Sequence, residues 1–180
     1  MRTARLLLSF VPVVLAGCAT HEERAAPAQR RIESRARPRP APPVAMSNAA
    51  YVRSAAAIDL FEIRSSELAL QRSATRRVRD FAAMMIKDHK GTSSQLSLAG
   101  RRLNLLPSAR LDAPHQAMLD ALRQSANFDA AYKRQQLTVH QEAEALHSRY
   151  AASGTSPTLR PVAAANLPVV RRHLRLLRYL

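Results

Sequence analysis

The sequence predicts an all-α protein, and its composition supplies the reasons. Only four of 180 residues are glycine, tryptophan is absent and the other aromatics are few. Alanine and leucine, which lose little on entering a helix, are abundant, whereas the residues that favour strands are sparse. Four helical stretches follow. The first runs over 49–72, with Ser47 or Asn48 placed to cap it. Ser73-Ala74-Thr75 is a short link to a second helix over 75–103, and a link that brief makes the two antiparallel neighbours. Residues 104–114 hold two prolines and an aspartate and read as a longer loop. The third helix starts near Ala113, meets a breakpoint at 125–127 and continues over 128–152. After a turn at 154–157 the fourth helix extends to Tyr179, with Pro161 and Pro168 expected to delay or kink it, since each removes an intrahelical donor.

The N-terminal quarter is of a different kind. Arg2 and Arg5 precede an apolar stretch from Leu6 to Ala16, too short for a permanent bilayer-spanning helix. It ends in Leu15-Ala16-Gly17-Cys18, so a positive start, an apolar run and a small-residue cleavage site form a secretory signal. Those last residues are similar to a bacterial lipobox, whose cysteine is lipidated after cleavage. Residues 1–17 are therefore expected to be a lipoprotein signal peptide and Cys18 the site of the covalent lipid. Each buried acyl methylene adds about 0.8 kcal/mol to such an anchor. Ala19 rather than aspartate follows, which by resemblance to Gram-negative lipoproteins points to the outer membrane, facing the periplasm. Residues 18–48 are rich in Pro, Arg and Ala, cannot bury enough surface to offset their ordering entropy and read as a disordered tether. The folded domain is then 49–180. Cys18 is the only cysteine, so this domain has no disulfide and depends on its apolar core.

The formal net charge is +15 and is carried mainly by arginine, lysine occurring only at 87, 90 and 133. Such a balance ordinarily suggests nucleic acid, but an export signal argues against that partner. Outside the cytoplasm the polyanions are lipid headgroups and envelope polymers, and a domain anchored to the membrane by its lipid lies within their field. A plainly solubilising role for the charge is the alternative. The cluster Arg171, Arg172, Arg175 and Arg178 reads as a solvated face that complements the helix dipole.

Projection at the helical period shows where the ionisable groups point. On the second helix Val78, Ala82, Met85, Leu96 and Leu103 form an apolar stripe that contains His89. On the last, Val169, Val170, Leu177 and Leu180 flank His173. Glu62 shares a face with Ala55, Ile58, Ser66 and Ala69, and a glutamate there needs a partner. His140 stands at the edge of the stripe of Phe128, Tyr132, Val139, Ala143, Leu146 and Tyr150, and is the weakest inward assignment. His21 and His115 fall in tether and loop and read as solvated.

These residues carry a resemblance. Glu62-Ile63, Leu68-Ala69, the run from Val78 to His89 (Val-Arg-Asp-Phe-Ala-Ala-Met-Met-Ile-Lys-Asp-His), Phe128-Asp129 with Tyr132, His140, and Asn166-Leu167-Pro168 with His173 resemble the bacterial exported domain-of-unknown-function family 4142. The resemblance covers nearly all of 51–180. It implies a ferritin-like antiparallel four-helix bundle behind a signal peptide or lipobox, with recurrent polar core positions at Glu62, Asp88, His89, His140 and His173. The chain departs from the family at Val139, where an acidic residue is common, at Ser66, where glycine is common, and at Pro161.

One polar side chain from each of four helices is the arrangement that carboxylate and histidine metal sites use in bundle cores. Glu62, His89, His140 and His173, with Asp88 outside them, suit a single Zn, Cu, Ni or Fe ion better than a dinuclear centre, because the only Glu-x-x-His spacing is Glu144 to His147. The competing reading is a buried hydrogen-bond network from Glu62 to histidine, with Asp88 at its rim, that fixes helix register. Asp59 with Glu62 has the form of a carboxylate pair but no evident pocket. A Gly-rich phosphate loop, a free catalytic cysteine and Gly-x-Ser-x-Gly are all missing from the sequence, which speaks against an enzyme. The sequence favours a lipid-anchored envelope protein with a binding or accessory domain, a metal-binding or metal-dependent redox domain being the alternative.

Overall fold

The structure, a computed structural model, describes residues 45–180. The expectations for the signal peptide, for Cys18 and for nearly all of the tether lie outside the described residues. Five helices follow: α1 Asn48–Arg72, α2 Arg76–Arg101, α3 Ala113–Gln124, α4 Phe128–Ser153 and α5 Leu159–Leu177. There is no strand among the described residues. The expected third helix is thus two helices, since Ser125-Ala126-Asn127 stops one and starts the next.

Short polar side chains set the starts. Ser47 Oγ accepts from the Ala50 amide at 3.2 Å, Asp112 Oδ1 from the His115 amide at 3.0 Å and Asn127 Oδ1 from the Ala130 amide at 3.4 Å. Ahead of α5, Ser156 Oγ accepts from the amides of Thr158 and Leu159, both at 3.2 Å. Pro161 falls in the first turn of α5, where its missing N–H costs no intrahelical bond, so it does not delay the helix as expected. Pro168 lies inside α5. At the end of α2 the Gly100 carbonyl accepts from the amides of Leu103 and Leu105, both at 2.9 Å, and Asn104 takes a left-handed φ of 55°. The turn brings the Leu105 carbonyl so close that a Cβ on residue 100 would sit 2.2 Å from its oxygen, so Gly100 is required there.

α1 packs chiefly on α2 and α4 chiefly on α5, with α1 against α4 and α2 against α5 closing the ring. Tyr51 meets His147, Glu62 meets His140 and Ser66 meets Tyr132, so α1 and α4 are antiparallel. Arg77 bonds the Tyr179 carbonyl and Asp88 meets His173, so α2 and α5 are antiparallel too. Helices α2 and α4 consequently run in the same direction on opposite corners. The chain between them must return along the bundle, and residues 102–127, including α3, form that crossover. A single long crossover is the connection of ferritin-like bundles. Arg72, at the end of α1, fastens its far end through the carbonyls of Leu122 at 3.1 Å and Ser125 at 3.0 Å.

The core has two apolar parts. One gathers Tyr51, Ile58, Phe61, Leu96, Leu119, Val139, Leu146, Tyr150 and Leu159. The other gathers Ala69, Val78, Phe81, Met85, Leu122, Phe128, Tyr132 and Leu177. Buried polar side chains lie along the helices between these groups: Asp59, Glu62, Ser65, Ser66, His89, Gln136, His140 and His173. Burying so many polar groups costs several kcal/mol unless each has a partner. Among the described residues no helix is long and apolar enough to cross a membrane.

Candidate metal centre

Helices α2, α4 and α5 each send one histidine into this polar layer, and all three rings are almost fully buried. His89 Nδ1 is 2.8 Å from Asp59 Oδ1. His140 Nδ1 is 2.8 Å from the Gln136 carbonyl one turn earlier, and 3.1 Å from Glu62 Oε1. His173 Nε2 is 2.9 Å from Asp88 Oδ2. Carboxylate and carbonyl oxygens only accept, so in the neutral rings these outward nitrogens carry the hydrogen. The inward nitrogens are then His89 Nε2, His140 Nε2 and His173 Nδ1, each with a free lone pair.

One nitrogen from each ring lies within 4.8 Å of the others. His140 Nε2 and His173 Nδ1 stand 3.1 Å apart, and His89 Nε2 has no hydrogen-bond partner. Imidazole nitrogens on a tetrahedral ion at about 2.1 Å are about 3.4 Å from one another, so this pair already has ligand spacing. Two facing lone pairs repel unless they share a cation, and a cation there would satisfy His89 as well. Carboxylate or carbonyl acceptors behind the rings are the arrangement that orients metal-ligating histidines. The residues present therefore fit a transition-metal ion.

The electrostatics favour positive charge. For His89 burial opposes protonation, but the Asp59 hydrogen bond and the charges of Asp59, Glu62 and Asp88 outweigh it, and its pKa stands above the ordinary imidazole value. His173 is pushed down to about 3, by burial first and then by the charge on His89, against the pull of Asp88. The layer prefers one positive charge at His89 and resists a second at His173. Glu62 is the least satisfied member: its side chain is 0% exposed and neither oxygen accepts a hydrogen bond, because the Nδ1 hydrogen of His140 points at the Gln136 carbonyl.

Of the residues singled out from the sequence, His89, His140 and His173 come together, and His140 is fully buried rather than at an edge. Glu62 and Asp88 lie behind the rings, on the outward nitrogens of His140 and His173. Asp59, for which the sequence offers no evident pocket, is buried, holding His89 and accepting from Thr92 at 2.8 Å and Ser93 at 3.2 Å. Its position four residues after Ala55 and seven before Ser66 puts it on the Glu62 face, which is the signal the sequence does carry. Glu144 and His147 do not act as a pair. Glu144 binds Arg171 at 2.7 Å, while His147 Nδ1 meets the buried Tyr51 hydroxyl at 3.1 Å, with its pKa lowered by burial to about 4. His115 is buried rather than solvated: it bonds its own cap, Asp112, at 2.7 Å and packs on Phe61. Ser66 uses its hydroxyl on Tyr132 at 2.8 Å.

The arginine cluster of α5 is only partly a free face. Arg172 bonds Asp88, the carboxylate behind His173, and Arg171 is held by Glu144. Arg175 and Arg178 are exposed.

The sequence profile of the family described as "Domain of unknown function (DUF4142)" matches residues 33–180. Two solved structures share the fold. "CopM in the Cu(II)-bound form" aligns with a TM-score of 0.64 and 18% identity over 75% of this chain and 95% of that one. "CopM in the Cu(I)-bound form" aligns with a TM-score of 0.63 and 18% identity over 74% and 94%. No curated protein sequence matches significantly.

Proposed function

We propose that this chain, which belongs to the DUF4142 family, binds one transition-metal ion, copper in the first instance, between His89, His140 and His173. The observation that carries the reading is the convergence of three buried ring nitrogens within 4.8 Å, each ring held from behind by an oxygen acceptor. Three neutral imidazoles suit Cu, Zn, Ni and Fe. Copper is preferred because the two bundles of like fold are described as copper-bound, in both oxidation states. Bound there, copper would supply one-electron redox chemistry and a positive charge. The protein's part is orientation: Asp59, the Gln136 carbonyl and Asp88 fix the tautomers of His89, His140 and His173, while the carboxylates of Asp59, Glu62 and Asp88 balance that charge.

The centre is closed. The surface clefts between α2 and α5 and between α4 and α5 are lined by other side chains. That supports holding or handing on an ion over turning over a substrate. The setting belongs to the proposal: a chain lipidated at Cys18, in the outer membrane facing the periplasm, its basic surface among anionic lipids and polymers. Elemental analysis of the chain purified without chelator tests the metal. About one copper per chain is expected, retained in His115→Ala and lost in folded His89→Ala and His173→Ala. A parent chain that holds no metal and takes up neither copper nor zinc overturns it.

A further inference from the structure

Three carboxylates stand behind the histidines, but they differ in access. The Glu62 side chain is 0% exposed and that of Asp59 is 5% exposed, whereas Asp88 keeps 19% of its surface. Asp88 Oδ2 takes two donors at once: His173 Nε2 from the inside and Arg172 from the outside, the latter on a side chain 48% exposed. A continuous polar contact thus runs from solvent through Arg172 and Asp88 to a ring of the centre. Above and below this layer the bundle is closed by its two apolar clusters.

Resting on the metal-binding reading, we infer that the Asp88–Arg172 ion pair is the entrance of the centre. Arg172 covers Asp88 and releases it, Asp88 takes the incoming cation, and the His173 ring, let go by Asp88, turns to receive it on Nδ1, the nitrogen without a hydrogen. The chain as a whole carries +15, a field that opposes a cation's approach, so a carboxylate reachable from solvent is what an incoming ion needs. Arg172 is suited to leave. It lies on the surface, and no other hydrogen bond holds its guanidinium among the described residues. Pro168, one turn earlier, removes the bond to the Ala164 carbonyl and weakens α5 next to the segment that must give. No bond is made or broken except coordination, and the guanidinium returns to water.

The test is the rate of Cu(II) uptake by the full chain in stopped flow, with endpoint stoichiometry from elemental analysis and fold from thermal unfolding. Arg172→Gln is expected to load about tenfold faster than the parent with the same endpoint. Asp88→Asn, which removes the landing carboxylate, is expected to load about tenfold slower. A merely structural pair would move both variants the same way or not at all. Arg172→Gln loading at or below the parent rate, in a parent that does bind copper, overturns the entrance and leaves the metal site standing. A parent that binds none overturns both. Should Asp88→Asn fail to fold, the Arg172→Gln rate decides alone.

Discussion

Replacing Glu62 by glutamine separates the two jobs a buried carboxylate can have. Glu62 is fully buried, accepts no hydrogen bond and touches His140 Nδ1 at 3.1 Å with poor alignment. Leaving a charged group in that state costs about 2 kcal/mol or more. Glutamine has nearly the same shape and can present its Oε1 where the carboxylate oxygen was, without the charge. The metal-free variant should therefore be more stable than the parent by about 2 kcal/mol. For a domain of about 140 residues the unfolding entropy is about 0.3 kcal/mol/K, so its Tm should rise by about 7 °C. With copper present the order should reverse, because the negative charge that balanced the ion is gone and affinity should fall about tenfold to a hundredfold. Differential scanning calorimetry of both proteins, with and without one equivalent of copper, reads both effects. A metal-free Glu62→Gln that melts below the parent would show the carboxylate to be a paired member of a register-setting network, and would refute the reasoning.

Further tests address the scaffold. His147, with a folded pKa near 4 against an ordinary 6.5, is a neutral buried imidazole. Its contribution to stability is complete above pH 6.5 and is lost as pH falls to 4, about 3 kcal/mol in all. Urea melts across that window should show the loss, and His147→Gln should flatten it. A Cβ added at Gly91 would meet nothing within 4 Å, so Gly91→Ala should gain about 0.5–1 kcal/mol from helix propensity. Gly100→Ala should lose about 1–3 kcal/mol by pushing the Leu105 carbonyl away, and equal urea midpoints for the two would contradict the packing described. Leu96→Ala, at a fully buried position, should cost about 2–5 kcal/mol in the same assay.

Helical periodicity reports a face, and the face is enough for much of this molecule. Val78, Ala82, Met85 and Leu96 are buried along α2 with His89 among them, and Val170 and Leu177 bracket His173 on α5. Periodicity does not report height along the bundle. Whether His140 meets His173 or another residue depends on how α4 and α5 are aligned, which the sequence of neither helix contains. His147 shares a side with His140 but lies two turns along, and finds Tyr51 instead. Asp59 illustrates the opposite limit: its face is readable, but its role needs a partner on α2, 30 residues away. His115 escapes because its burial comes from Phe61 on another helix, while its own neighbourhood is a proline and a cap.

The crossover at 102–127 divides the chain into two helical hairpins, α1–α2 and α4–α5, each made by a short local link. His89 belongs to the first hairpin, His140 and His173 to the second. A protease cut near Ser108, in the exposed stretch before α3, would leave two fragments with a complete hairpin in each. Neither fragment would carry all three imidazoles. With the proposed ion joining His89 to His140 and His173, reassembly of the fragments is expected to tighten as copper is added, beyond what the apolar contacts between the two hairpins provide.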